Sequence, residues 1–146
     1  MESITVSRRI DAPEPAVRDV VTDVEPFMLA AGFDEVGVDG DEIRITNRVG
    51  IATIELTLER VDGPDAVLAY EQREGIFESM RTVYHLHEDE GGSTVLEATT
   101  DFALDVALVG EMLDATIIKR QRRRELEAQF DHVEAVAGTD TDADPD

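Results

Sequence analysis

The chain has no cysteine and only one lysine, Lys119, in 146 residues. Without cysteine there is no disulfide framework, no thiolate nucleophile and no Cys-based zinc site. No apolar run approaches the roughly 18 residues needed to span a bilayer. The opening MESITVSRR also lacks the apolar stretch of a secretory signal. The expectation is a soluble, cytoplasmic protein with no membrane insertion. Catalytic signatures are missing too: there is no G-x-S-x-G elbow, P-loop, dinucleotide fingerprint, H-E-x-x-H or EF-hand loop. Paired carboxylates are plentiful, but in a chain with 34 acids their proximity carries almost no information. No catalytic residue, metal site or cofactor is nominated, and oligomeric state is left open.

What the chain does have is acid: 34 Asp and Glu against 13 Lys and Arg, a formal net charge of -21. Self-repulsion on this scale destabilises a compact state in dilute buffer. Molar salt shortens the Debye length to about 3 Å and removes most of that penalty. The acids are spread along the chain rather than gathered in one block, which favours adaptation to a high-salt cytoplasm, as in extreme halophiles, over an acidic protein that binds basic partners. Duplex nucleic acid needs a basic footprint and is a poor partner for such a surface. The hydrophobic fraction of 42% and the length suit one domain with a continuous core.

Periodicity orders the elements. SITVSRRI at 3–10 reads as a strand, with Ile4, Val6 and Ile10 apolar. Pro13 fits the first turn of a helix whose stripe is Val17, Val20, Val21 and Val24, and Pro26 opens a second short helix closed by Gly32. From residue 33 the period changes to two. Turn signals at DGD 39–41, Gly50, VDGPDA 61–66 and DEGGS 89–93 divide the following chain into about six strands in antiparallel meander. One dry face is expected, carrying Ile43, Ile45, Leu56, Leu68, Tyr70, Met80, Thr82, Tyr84, Leu96, Thr100 and Phe102. A helix over 106–136, ended by Gly138, covers that face. The expected organisation is a single domain over 1–137 and a disordered acidic tail over 138–146.

This order of strand, helix pair, six-strand meander and long C-terminal helix is that of the α+β helix-grip fold, a curved sheet of about seven strands around a long helix. The stretch ITVSRRIDAPEPAVRDVVTDVEPFM at 4–28 resembles the opening of the START-related superfamily, also called SRPBCC. That superfamily includes polyketide cyclase/dehydrase-like proteins, lipid-transfer domains and pollen-allergen-type ligand binders. The resemblance implies a cavity between the sheet and the C-terminal helix that holds a hydrophobic small molecule. The residues it nominates are Phe27 and Met28 on the helix pair. On the sheet they are Asn47, Leu56, Tyr70, Met80, Thr82, Tyr84, Thr100 and Phe102. On the long helix they are Val109, Met112, Leu113, Thr116 and Arg120.

Several polar residues invite a reading of their own. Asn47 is in register with the inward-facing Ile43 and Ile45, so its amide either meets a ligand or is satisfied near Gly50. Tyr70 and Tyr84 offer hydroxyls to a ligand, or pack their rings and donate to backbone. His85 and His87 share one face at a spacing that can chelate a metal, but on the solvent side. KRQRRR at 119–124 puts five cations in six helical positions, so some of them must approach the sheet, either to meet an anionic group or to pair with nearby carboxylates.

The leading expectation is therefore a carrier or sensor of a lipid-like small molecule. The enzymatic alternative is a cyclase/dehydrase with Tyr84 or Tyr70 as acid/base and Arg120 or Arg124 polarising a carbonyl. A protein-interaction module is the third reading.

Overall fold

The period-two alternation becomes a seven-stranded antiparallel sheet in the computed structural model, which describes residues 1–104 and 115–142. Its strands are β1 (Glu2–Ile10), β2 (Glu35–Asp39), β3 (Glu42–Val49), β4 (Ala52–Arg60), β5 (Leu68–Glu74), β6 (Phe77–Glu88) and β7 (Thr94–Leu104). The helices are α1 (Glu14–Thr22), α2 (Val24–Leu29) and α3 (Ala115–Asp142). The strand order is β1-β7-β6-β5-β4-β3-β2, so the meander is simple except where β1 pairs with β7. That pair runs in register from Glu2 opposite Phe102 to Ile10 opposite Thr94. The result is the helix-grip fold that the sequence pattern predicts.

Local chemistry explains the joints. Asp39 pairs with Glu42 across a two-residue turn, and Gly40 takes the left-handed φ of 63° that this turn requires. Asp23 closes α1 and caps α2, so α2 begins at Val24 and not at Pro26. Pro26 falls in the first turn, where a backbone N–H has no intrahelical acceptor and proline is tolerated. Val17, Val20 and Val21 of α1 and Val24, Phe27 and Met28 of α2 are buried beneath α3 and the sheet.

Helix α3 packs along β1 and against α1 and α2. Arg8 of β1 donates to Asp131 at 2.6 Å and to Glu134 at 2.8 Å, while Lys119 meets Glu2 at 3.0 Å. Strand and helix therefore lie alongside one another. The buried stripe of α3 includes Ile118, Leu126, Phe130, Val133 and Ala137. Each large apolar side chain buried in this way stabilises the fold by about 1.5–3 kcal/mol. Gly138 does not end the helix, which continues to Asp142. Gly138 is not in the left-handed conformation that makes glycine a helix stop. The expected helical segment 106–114 lies outside the described residues, as do residues 143–146 of the expected tail. Among the described residues, no helix is long and apolar enough to cross a membrane.

Candidate functional site

Between the inward face of the sheet and the first half of α3 lies a cavity of about 60 Å³. Its apolar wall is Phe33, Ile45, Ile54, Leu56, Leu58, Phe77, Met80, Phe102 and Ile118. Its polar wall is Asn47, Tyr70, Thr100, Gln121, Arg122 and Glu125. Small-molecule sites usually enclose about 300–1,000 Å³, so the enclosed space is smaller than the ligand-sized cavity expected from the sequence. Large aromatic side chains have taken up the difference: Tyr70, Tyr84, Phe27, Phe102 and Phe130 are all fully buried between the layers. A space of about 60 Å³ accepts a few waters or the leading end of a ligand.

The polar wall is one connected unit centred on Arg122. Its Nε donates to Thr100 Oγ1 at 2.9 Å and its Nη1 to Glu125 Oε1 at 3.0 Å. Its Nη2 donates to the Tyr70 hydroxyl at 2.6 Å, with Thr82 Oγ1 at 3.3 Å and the Tyr84 hydroxyl at 3.4 Å beyond it. Thr82 and Thr100 join their hydroxyls at 2.8 Å. Glu125 Oε2 accepts from Asn47 Nδ2 at 3.0 Å and from Gln121 Nε2 at 3.3 Å.

The network continues away from the cavity with a fixed polarity. The Tyr84 hydroxyl donates to Gln129 Oε1 at 2.7 Å, so in the Tyr70–Tyr84 contact at 3.2 Å the proton belongs to Tyr70. Gln129 Nε2 in turn donates to the Phe27 carbonyl at 3.2 Å. That carbonyl is at the C-terminal end of α2, where helix carbonyls lose their intrahelical partners. Among the described residues, no buried side-chain N or O lacks a hydrogen-bond partner. A closed polar network of this kind holds its members in one arrangement.

Electrostatics follow from burial and pairing. Burial works against the Arg122 charge, but Tyr70, Tyr84 and Glu125 outweigh it and keep the guanidinium protonated. Burial raises the Glu125 carboxyl above its ordinary value, against the opposing pull of Arg122, Gln121 and Asn47. Tyr84 is pushed well above the usual tyrosine value, mainly by burial and secondarily by Tyr70. At neutral pH it is a phenol, consistent with its role as donor to Gln129. Arg122 and Glu125 are the only charged residues on the cavity wall among the described residues, and they cancel.

One rim of the cavity is set by the β5–β6 turn. Gln72 Nε2 donates to the Phe77 carbonyl at 2.8 Å, and the Phe77 N–H donates to Gln72 Oε1 at 3.1 Å. This clamp holds Phe77 edge-on to Phe102, with ring centroids 5.5 Å apart. A Cβ at Gly75, within the turn, would collide with Gln72 and Leu56.

Of the residues nominated from the sequence, Asn47, Leu56, Tyr70, Met80, Thr100 and Phe102 border the cavity. Thr82 and Tyr84 stand behind that wall, tied to Arg122. Phe27 and Met28 are fully buried in the core beneath α3, away from the cavity wall. Thr116 and Arg120 are corrections: both are exposed and line an outer crevice with Ser3, Ile4, Thr5, Lys119 and Arg123. They lie on the side of α3 opposite Ile118, which faces inward. Arg124 is likewise exposed. Val109, Met112 and Leu113 lie outside the described residues. His85 and His87 stack on the outer face with centroids 6.4 Å apart. Among the described residues, no group of His, Asp or Glu is arranged to hold a metal.

The polar residues not nominated from the sequence are Arg122, Glu125 and Gln129, all buried, and Gln121, which borders the cavity. A signal for the first was available: Arg122 lies four residues from both Ile118 and Leu126, on the buried stripe itself.

A family model described as polyketide cyclase/dehydrase and lipid transport matches residues 1–138. The chain belongs to this family. Among curated proteins, no sequence matches it. Among solved structures, the Zhui aromatase/cyclase of a Streptomyces species is similar with a TM-score of 0.80 at 19% identity, covering 97% of this chain and 96% of that one. A START superfamily protein of Mycobacterium smegmatis is similar with a TM-score of 0.73 at 11% identity, covering 94% and 97%. A protein of Thermus thermophilus reaches 0.70 at 17% identity, covering 92% and 98%. Identities this low speak for the fold alone.

Proposed function

We propose that the protein binds a hydrophobic or amphipathic small molecule between its sheet and α3, as a carrier or sensor. The observation that carries this reading is a cavity with apolar walls and a single polar end, built from Asn47, Glu125 and Arg122. Family membership supports it, because the family's description includes lipid transport. Since only about 60 Å³ is enclosed, a full-sized ligand must displace wall side chains. Phe77 and Leu56 are the half-buried apolar members of that wall, the side chains best placed to yield. Native mass spectrometry of the protein purified in high salt, with titration of the neutral fluorophore Nile red, tests the reading. A co-purifying small molecule or saturable fluorophore binding, lost on substituting Leu56→Trp, is expected. An empty protein that binds neither fluorophore nor any lipid extract would overturn it.

A second reading is catalytic, in the cyclase/dehydrase sense. It draws on the 2.6 Å approach of Arg122 to the Tyr70 hydroxyl at the cavity wall, where a guanidinium could polarise a substrate carbonyl. Arg120 and Arg124, assigned that role from the sequence, are exposed and do not serve it. Turnover of a poly-β-ketone analogue that is abolished by Arg122→Met but retained in Arg120→Met would favour this reading. No turnover in the native protein would dismiss it.

A further inference from the structure

On the outer side of α3 the basic run borders a second concave site that shares no residue with the cavity wall. Thr116, Lys119, Arg120 and Arg123 follow one another at spacings of three, four and seven, which puts them on one face of the helix. Against β1 they flank a crevice of about 440 Å³, completed by Ser3, Ile4 and Thr5. That volume falls within the about 300–1,000 Å³ of small-molecule sites, which the internal cavity does not reach.

The charge of this face is not used within the protein. Acids outnumber bases 34 to 13, and cations elsewhere find them: Arg8, Arg18, Arg44 and Arg81 each meet a carboxylate. Lys119 does so as well, with Glu2 at 3.0 Å. Arg120 and Arg123 meet no carboxylate among the described residues, although Glu127 stands four positions beyond Arg123 on the same helix. Nor does any described Asp or Glu line the crevice. Lys119 and Arg123 are themselves four apart, a like-charge spacing that works against the helix. Repulsion is kept here in a chain rich in acids that would relieve it. An anion from outside relieves it instead.

The groups present define that anion. Three positive charges, less the one that Glu2 neutralises, leave two. A phosphate monoester carries about 1.5 to 2 negative charges at neutral pH and offers three acceptor oxygens. A guanidinium fork meets two such oxygens at once, and Ser3 and Thr116 bring hydroxyls to the same crevice. The net charge of -21 opposes any anion, but at physiological salt its remote part is screened beyond about 8 Å, whereas cations in contact are not. A long polyanion would lay its further charges against acid-rich surface. A compact dianion does not.

We propose that the outer crevice between β1 and α3 is a binding site for a phosphate monoester, held by Arg120 and Arg123 with Lys119. It is a second site, separate from the apolar one between sheet and α3.

The test is calorimetric titration at pH 8 with glycerol 3-phosphate, inorganic phosphate, methyl sulfate and tetraglutamate, at the lowest KCl concentration that holds the fold by circular dichroism. Saturable binding of glycerol 3-phosphate is expected, about tenfold or more tighter than the singly charged methyl sulfate. Arg120→Gln and Arg123→Gln should each weaken it about tenfold or more, since each removes a charge-assisted contact. Arg124→Gln, an exposed arginine outside the crevice, should leave it unchanged. Nile red binding should be the same in all three variants, which separates failure of the crevice from failure of the internal site. Inorganic phosphate binding as tightly as the ester supports the site and makes the free ion its ligand. No binding of either phosphate, or binding indifferent to Arg120→Gln and Arg123→Gln, overturns the proposal. Tighter binding of tetraglutamate than of glycerol 3-phosphate also overturns it, in favour of a surface for acidic peptides.

Discussion

Asn47 on β3 and Glu125 on α3 meet at 3.0 Å at the cavity wall, the amide of one on the carboxylate of the other, 78 residues apart in sequence. This contact joins the sheet's inward face to the helix that covers it. It also explains how an asparagine is accommodated on an otherwise apolar strand face. Its amide is matched by an acid that is itself matched by Arg122. The polar core of the domain is a sequence of such dependencies, and each can be broken at a chosen point.

Arg122→Met removes the one cation that four hydroxyls and a carboxylate share. The buried Glu125 charge then stands alone, and the expected loss is about 3–5 kcal/mol of unfolding free energy at neutral pH. Adding Glu125→Leu should recover most of that loss, because no buried charge remains. Urea denaturation of the single and double variants measures the cycle. Equal stability of the two variants would contradict the dependence.

The pH response of Glu125 has a definite sign. Its carboxyl is raised from the ordinary 4.5, chiefly by burial, so the folded protein holds this proton to higher pH than the unfolded chain does. The contribution of Glu125 to stability therefore falls as the pH rises from about 4.5 through the raised value. Glu125→Gln cannot titrate. Its stability relative to the native protein should improve across that window, as read from paired denaturation curves at successive pH values. A flat difference, or one moving the other way, would show that the Arg122 pairing outweighs burial.

Tyr84→Phe deletes the hydroxyl that donates to Gln129 and receives the Tyr70 proton. Leaving those buried groups unmatched should cost about 1–3 kcal/mol. The same substitution at Tyr70 removes the closest acceptor of Arg122 Nη2 but leaves Gln129 paired. Hydrogen exchange can separate the two. Protection at the end of α2 should drop in Tyr84→Phe and be retained in Tyr70→Phe, because only the former loosens the Gln129 contact with the Phe27 carbonyl.

A net charge of -21 on 146 residues predicts a strong dependence on ionic strength. Raising KCl from about 0.1 M to 1 M shortens the Debye length from about 10 Å to about 3 Å. The melting temperature should climb steeply over that range and respond much less to an osmotically matched neutral sugar. Insensitivity to KCl would remove the case for adaptation to high salt.

The sheet was legible because its code is simple. Alternation over β3 to β7 assigns each side chain to a face, and the turn residues fix where the strands end. The long helix was not legible in the same way. With cations at five of six consecutive positions, composition alone does not show which arginine turns inward. Choosing Arg120 over Arg122 gives the basic run more weight than the apolar stripe on either side of it. Ile118 and Leu126 set the phase, and Arg122 falls midway between them. Glu125 and Gln129 were hidden for a different reason. In a chain with 34 acids a glutamate carries no signal until its partners are known, and these include the inward-turned Arg122 and an asparagine on a distant strand.

The spacing of Arg122, Glu125 and Gln129 on α3 has a consequence for how the helix tolerates insertions and deletions. Loss of one residue between 115 and 121 would turn the following helix by about 100°. Arg123 would then occupy the inward position, but Leu126 and Phe130 would replace the carboxylate and the amide. A gain of one residue would instead present Gln121, Arg124 and Ala128. Runs of like residues usually forgive such slips, and the arginines alone would forgive the loss here. The acid and the amide that follow them do not. They act as a phase lock, so that only one rotational setting of the helix closes the polar network.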